Sequence, residues 1–223
     1  MTSEEGSQGG PRELPAMHDQ PDPPTQHYFS REPQVASHPR NIAIRIRGLL
    51  LHLKSDRGVF SHGGLDKGTK LLAETMALRP GAEVLDWGAG YGPLGLVAAS
   101  ISPTSRVTLV ELNERAAQLA AENARTLGLT NAEVIAGPAP EALDGRDFDA
   151  IISNPPLRAG KEAVEAVIAY AAQHLRPGGE LWLVIPTNKG AKTFLQHMAQ
   201  LFPRTATKAI SGGYRILWAA RDA

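Results

Sequence analysis

Large apolar residues recur at every second position in Ile42, Ile44 and Ile46, with Ala43, Arg45 and Arg47 between them. After Gly48 an apolar run resumes as Leu49-Leu50-Leu51-His52-Leu53. A period of two interrupted by a turn residue predicts a β-hairpin over 41–54. Arg57-Gly58 and His62-Gly63-Gly64 mark loops after it, and a helix is expected near 69–78, stopped by Arg79-Pro80-Gly81. Short strand-like runs follow at 83–86, 107–111, 132–136, 149–153, 180–185, 205–210 and 214–219, with helical segments between the first six. Val164, Val167, Ile168, Ala171 and Leu175 fall at i, i+3, i+4, i+7 and i+11, one helical stripe that stops at Arg176-Pro177-Gly178-Gly179. Ala191, Phe194, Leu195, Met198, Leu201 and Phe202 repeat that spacing before Pro203. Alternating β and α elements impose a parallel sheet with helices on both faces. Only Ser211-Gly212-Gly213 separates the last two strands, too little chain for a parallel crossover, so the final strand runs antiparallel. The expected fold class is therefore α/β: a Rossmann-like seven-stranded sheet, mostly parallel with an antiparallel last strand, plus an N-terminal β-hairpin extension.

Composition adds the organisation around that core. Residues 1–26 are rich in Gly, Pro, Ser, Glu and Gln and bury too little apolar surface to offset ordering entropy, so they are expected to be a disordered tail. Residues 27–66 form the hairpin extension and 67–223 the main domain. With 23 basic and 23 acidic residues, the whole chain carries no polyelectrolyte signature. The balance hides an asymmetry: six bases against two acids over 41–70, and six against one over 186–223. Such runs read as a basic substrate face or as ordinary solvated charge. The absence of cysteine excludes disulfides, thiolate metal sites and a cysteine nucleophile. The seven histidines show no metal-ligand spacing, and no metal is expected. No apolar run approaches the roughly 20 residues needed to span a bilayer, which leads to the expectation of a soluble, cytoplasmic protein.

The chemistry begins at Asp86-Trp87-Gly88-Ala89-Gly90-Tyr91-Gly92-Pro93-Leu94, the turn after the first core strand. In doubly wound sheets a ligand sits beyond the carboxyl ends of the strands at the switch point. Glycines let the backbone turn tightly and approach a ligand, and Pro93 suits the first position of the next helix. A dinucleotide site also uses glycines here, but as G-x-G-x-x-G, and position 93 is proline where the third glycine belongs. The spacing is instead D-x-G-x-G-x-G. Asp86 suits the cationic amino-acid end of S-adenosyl-L-methionine, whereas a pyrophosphate would be repelled by it. Glu111, 23 residues after Gly88, ends the second strand where a carboxylate can accept both ribose hydroxyls. Leu112 follows it. Gly137-Pro138-Ala139 closes the third strand with no acid to meet the adenine amino group, so adenine is expected to rest on backbone groups and apolar contact. The expected cofactor-binding set also includes Ala89, Gly90, Gly92 and Asn154.

Ser153-Asn154-Pro155-Pro156 closes the fourth strand, beside the first in the expected order, and so faces the methyl group. An exocyclic or amide nitrogen is a poor nucleophile because its lone pair is delocalised. Accepting its two hydrogens, one on the Asn154 side-chain oxygen and one on the Pro155 carbonyl, rehybridises that nitrogen towards sp³. Pro155 and Pro156 fix φ and hold the carbonyl in place. Asn154, Pro155 and Pro156 are thus the candidate catalytic residues.

Taken together, Phe60-Ser61-His62-Gly63-Gly64-Leu65-Asp66-Lys67-Gly68-Thr69, the glycine turn through Leu96, Glu111-Leu112-Asn113-Glu114-Arg115-Ala116 and Asn154-Pro155-Pro156-Leu157-Arg158-Ala159-Gly160-Lys161 resemble the small methyltransferase domain family. That family has the class I methyltransferase fold and includes the RsmC-type 16S ribosomal RNA guanine-N2 methyltransferases. The resemblance covers roughly 27–223. It implies that the segment 66–69, with Lys67, Gly68 and Thr69, lies over the cofactor, and that Asn154 and Pro155 engage a guanine N2 amine of ribosomal RNA, free or in the small ribosomal subunit. Two departures stand out. Full-length ribosomal enzymes resemble a tandem of two such domains, and Leu157 replaces the aromatic on which many relatives stack the target base. Tyr28, Phe29 or Phe60 are candidates for that stacking, or are hairpin core. Leu157, Arg158 and Lys161 are the candidate substrate contacts; Arg158 and Lys161 read equally as phosphate ligands or as surface residues at a helix start. Arg45 and Arg47 read as a basic platform or as solvated strand residues, His62 flanks the cofactor loop, and Trp87, Trp182 and Trp218 read as core packing. Methylation of a protein glutamine amide or of a small metabolite are rival activities, and a non-catalytic cofactor-binding regulator is the alternative of another class.

Overall fold

The computed structural model describes residues 36–57, 59 and 64–223, the Arg158 side chain excepted. The predicted tail 1–26, together with Tyr28, Phe29, Phe60 and His62, lies outside the described residues. Arg40–Ile46 (β1) and Leu49–Ser55 (β2) form the expected hairpin, with Ile44 opposite Leu51 and Ile46 opposite Leu49. Arg47 and Gly48 take φ of 49° and 79°, the two left-handed residues of a hairpin turn whose twist matches that of its strands. Ile44, Ile46, Leu51 and Leu53 are buried, whereas Arg45, His52 and Lys54 face solvent. Arg47, exposed at the turn, is more than a solvated residue. Its guanidinium donates to the Met76 carbonyl at 2.7 Å, at the negative end of the following helix.

That helix, Lys67–Thr75 (α1), begins at the Asp66 cap and ends three residues earlier than expected. Met76 turns extended, with ψ of 141°, and buries its side chain, and Arg47 takes its carbonyl, for which a longer helix would have had no donor because residue 80, four positions on, is proline. The main domain continues as Glu83–Trp87 (β3), Pro93–Ile101 (α2), Arg106–Glu111 (β4), Glu114–Thr126 (α3), Ala132–Ala136 (β5), Ala139–Leu143 (α4), Phe148–Ser153 (β6), Lys161–His174 (α5), Leu175–Pro186 (β7), Ala191–Leu201 (α6), Arg204–Ser211 (β8) and Tyr214–Ala220 (β9). The sheet order is β5-β4-β3-β6-β7-β9-β8. Strands β3 to β7 pair in parallel, and β9 lies between β7 and β8, antiparallel to both. The expected fold class is borne out, including the reversed last strand. Strand β7 starts five residues earlier than expected. Arg176-Pro177-Gly178-Gly179 has no register partner on β6 or β9; it bulges between Leu175, opposite Phe148, and Glu180, opposite Ala150, and the Gly178 N–H donates to the Asp222 carbonyl at 2.7 Å.

Alternation along the strands sorts the core into two layers. Val84, Val107, Leu109, Ile152 and Trp182 face α1, α2, α3 and the hairpin, while Leu85, Val110, Ile151, Leu181 and Leu183 face α4, α5 and α6. The hairpin is tied to α3 by one buried amide. Asn123 on α3 accepts from the Lys54 N–H at 2.7 Å, and its Nδ2 donates to the carbonyls of Lys54 and Tyr91, both at 2.9 Å. One side chain thus anchors β2 and the far side of the glycine turn. Asn123→Ala is expected to lower stability by about 2–4 kcal/mol in urea unfolding, since it strands three backbone groups; a loss below half a kcal/mol would show that docking of the hairpin does not depend on this amide.

Candidate active site

Strands β3 and β6 are the adjacent pair from which the sheet is wound outwards in both directions, so their carboxyl ends open a crevice. The glycine turn leaves β3, Asn154 leaves β6, and the Ser153 hydroxyl donates to the Trp87 carbonyl at 2.8 Å, tying the two exits together. A cleft of about 880 Å³ lies above them, large enough for a nucleoside-sized ligand and part of a second one.

Gly88 and Gly90 take φ of 74° and 59°, and a Cβ on either would meet nothing within 4 Å. Their missing side chains therefore leave open backbone towards the cleft, and the left-handed turn is one that other residues adopt only with strain. Glu111, at the end of β4, braces this turn. Its Oε2 accepts the Gly90 N–H and its Oε1 the Asn113 N–H, each at 2.8 Å. Each oxygen retains a lone pair, so a diol can be accepted by a carboxylate already fixed in place. Burial pushes the Glu111 carboxyl above its usual range, opposed by the backbone N–H groups of Asn113, Gly90 and Leu112. The carboxylates of Asp66, Asp86 and Glu111 all line the cleft, against one lysine, Lys189. That field favours a cationic ligand such as S-adenosyl-L-methionine over a pyrophosphate.

Asp86 has an internal partner. It is fully buried, and its Oδ2 accepts the Gly95 N–H in the first turn of α2 at 2.7 Å. Burial pushes its carboxyl up to about 7, the Gly95 N–H opposing the rise and the Glu111 charge adding to it. The folded protein thus holds this proton more tightly than the unfolded chain, where the carboxyl titrates near 3.8. The Asp86 contribution to stability is complete below about pH 4, declines as pH rises, and is gone above about pH 7, a change on the order of 4 kcal/mol. Urea unfolding between pH 4 and 8 is expected to show that decline, and Asp86→Asn should flatten it. Equal slopes for the two proteins would place the titration elsewhere.

On the opposite wall, the Asn154 Nδ2 donates to the Thr69 hydroxyl oxygen at 2.8 Å and to Asp66 Oδ2 at 3.1 Å. Neither the Asn154 Oδ1 nor the Pro155 carbonyl takes a hydrogen bond from the described residues. Pro155 is buried, and Pro156 opens a single 3-10 turn, Leu157–Ala159, in which the Ala159 N–H returns to the Pro156 carbonyl at 2.8 Å. Two acceptors thus stand side by side at the cleft.

Of the residues singled out in the sequence, Thr69, Asp86, Gly88, Ala89, Gly90, Glu111, Leu112, Gly137, Pro138, Ala139, Asn154, Pro155, Pro156 and Leu157 come together around the cleft. Lys67 and Lys161 are exposed and stand outside its lining; Gly68 is buried under Tyr214, and Gly92 lies behind the turn as the cap of α2. The Arg158 side chain lies outside the described residues. Trp87 is more than core. Half-buried, it lines the cleft while packing on Tyr170 with ring centroids 5.1 Å apart. Trp182 and Trp218 do pack together, edge to face at 6.3 Å. Sequence reasoning missed Tyr91, Pro186, Lys189 and Tyr214 as cleft residues. Pro186 and Tyr214 meet only because β9 inserts beside β7, a pairing that no local pattern announces.

The family model for the methyltransferase small domain matches residues 50–218. The chain is 36% identical over 200 residues to the uncharacterized protein YbxB of Bacillus subtilis, covering 88% of this chain and 99% of that one. It is 38% identical over 181 residues to ribosomal RNA small subunit methyltransferase C of Pseudomonas aeruginosa, covering 77% of this chain and 52% of that one. Among solved structures, the T. thermophilus 16S rRNA N2 methyltransferase RsmC, in complex with AdoMet and guanosine, superposes with a TM-score of 0.75 at 29% identity. That match covers 85% of this chain and 52% of the other, so the chain spans about half the length of the ribosomal RNA methyltransferases it matches.

Proposed function

The chain belongs to the methyltransferase small domain family, with S-adenosyl-L-methionine as its cofactor, and from that premise we propose that it methylates the exocyclic N2 amine of a guanine in 16S ribosomal RNA. The observation that carries the reading is the pair of acceptors, Asn154 Oδ1 and the Pro155 carbonyl, standing beside the glycine turn in one cleft. Support for guanine comes from the likeness to ribosomal RNA relatives, one of them a complex with guanosine.

S-adenosyl-L-methionine supplies an electrophilic methyl group on a sulfonium centre. The open backbone at Gly88 and Gly90 would receive its amino-acid end, Asp86 would lie beneath the ammonium, and Glu111 would accept the ribose hydroxyls. Trp87, Leu112, Pro138 and Ala139 give the apolar lining at the far end, where the sequence has no acid to offer an adenine amine. Asn154 Oδ1 and the Pro155 carbonyl take the two hydrogens of the target amine and draw its lone pair out of conjugation. The larger part of the rate enhancement then comes from alignment, for which oriented reactions gain ~7–11 kcal/mol. Leu157 is half-buried against the α5 layer and offers no aromatic face. Tyr214, half-buried across the cleft, supplies the ring that position 157 lacks.

The test is nucleoside mass spectrometry of 16S ribosomal RNA from a strain lacking the gene, with purified protein and methyl-labelled cofactor added back to that RNA and to the assembled subunit. Loss and restoration of one N2-methylguanosine is the expected result. Label appearing on a ribosomal protein instead would move the target to a glutamine amide.

A further inference from the structure

We infer that Asp66 is a positioning residue for methyl transfer, fixing, with Thr69, the Asn154 amide so that its oxygen and not its nitrogen meets the target amine. The inference rests on the reading that Asn154 grips that amine. Asp66 and Asn154 are 88 residues apart in sequence, and α1 brings them together.

The hydrogens in this cluster have a determined direction. Asp66 Oδ2 accepts the Thr69 N–H at 3.0 Å, capping α1, and also accepts the Thr69 hydroxyl at 3.4 Å. With its own hydrogen committed, the Thr69 oxygen presents lone pairs to Asn154, and the carboxylate presents nothing else. Both neighbours of Asn154 Nδ2 are therefore acceptors, at 2.8 and 3.1 Å. Rotating the amide by half a turn would set Oδ1 against a carboxylate oxygen and a hydroxyl lone pair. The same negative charge polarises the amide through its N–H, leaving Oδ1 a stronger acceptor.

Asp66 is itself held from several directions. Its second oxygen accepts the Tyr214 hydroxyl at 3.3 Å. The Tyr214 ring lies directly over Gly68, where a Cβ would fall 2.8 Å from two ring carbons. The bare backbone at residue 68 thus lets the tyrosine close on the cap, and the cap in turn sets the asparagine. Asp66, Thr69, Tyr214 and Asn154 form one chain of contacts from β9 to the cleft, and of these only Asn154 is assigned to touch the reacting nitrogen.

Asp66→Asn separates this role from a merely structural one. Asparagine caps a helix as well as aspartate does, so the fold should survive, but its amide can donate to Asn154 Oδ1 and admit the wrong orientation. The expected result with 16S ribosomal RNA from the deletion strain, at saturating S-adenosyl-L-methionine, is a fall in kcat of at least about tenfold, with the KM for RNA within about twofold. In ¹⁵N spectra, the Asn154 side-chain amide, identified by its absence in Asn154→Asp, should exchange with solvent slowly in the wild type and faster in Asp66→Asn. Thr69→Val, which removes the hydroxyl and not the charge, should move kcat and exchange in the same direction. Should Asp66→Asn fail to fold, Thr69→Val decides. An unchanged kcat, or unchanged amide exchange in both variants, overturns the inference. Failure of the wild type to methylate that RNA overturns the guanine reading instead, and the amide exchange then decides the orientation by itself.

Discussion

Replacing Asn154 with alanine is expected to lower methyl transfer by about two orders of magnitude or more while leaving affinity for S-adenosyl-L-methionine nearly intact. The size is that of removing one preorganised polar contact aimed at a reacting group. The structure explains why binding should be spared. The turn at Gly88 and Gly90 is braced by Glu111 from β4, and its far side by Asn123 from α3, without help from Asn154. The fold should also tolerate the change, because Asp66 keeps its cap on α1 and its contact with Tyr214. What disappears is the acceptor that holds the amine pyramidal. Asn154→Asp should be no rescue: it restores an acceptor but turns a carboxylate towards Asp66, and the repulsion of like charges at about 3 Å displaces it. Calorimetry with the cofactor, followed by single-turnover transfer of a labelled methyl group, checks both halves. Retained turnover in Asn154→Ala would remove the role assigned to this residue.

Where the chain's local physics and its fold agree, the sequence is informative. The hairpin follows from the alternation of Ile42, Ile44 and Ile46, and the reversal of β9 from a connection too short for a crossover. The glycine turn and Asn154 were legible because both sit at strand ends whose adjacency follows from the winding of the sheet. Failures fall where a distant group decides a local outcome. Met76 leaves the helix because it buries its side chain and Arg47 takes its carbonyl, which periodicity within 69–78 cannot show. The Pro177-Gly178 pair reads as a break and does interrupt the ladder, but not the chain's course: Leu175 already pairs with Phe148, and the Asp222 carbonyl beyond β9 takes the Gly178 N–H. Trp87 reads as core because one side of its ring is core; its other side lines the cleft. Tyr214 carries no motif at all, and its place beside Asp66 depends on the pairing of β9 with β7, across the α6 crossover and the final hairpin.

Glu111→Ala is expected to weaken binding of S-adenosyl-L-methionine by at least about 100-fold. Two losses combine. The ribose hydroxyls lose a charged acceptor, and hydrogen bonds to charged groups contribute ~1.5–3 kcal/mol each. The glycine turn also loses its brace, since the Gly90 N–H gives up a bond of 2.8 Å to a carboxylate that burial has made costly to keep ionised. Glu111→Gln separates the two. Its single carbonyl oxygen can hold the Gly90 N–H or a hydroxyl, and its amide can only donate to the other position, so an intermediate loss near tenfold is expected. A 2′-deoxy analogue of S-adenosylhomocysteine removes the diol without touching the turn. Against wild-type protein it should bind more weakly than the parent compound; against Glu111→Ala the two should bind alike, because the partner of the missing hydroxyl is already gone. A penalty for the deoxy analogue that persists undiminished in Glu111→Ala would mean that the ribose is held by another group, and that Glu111 serves the turn alone.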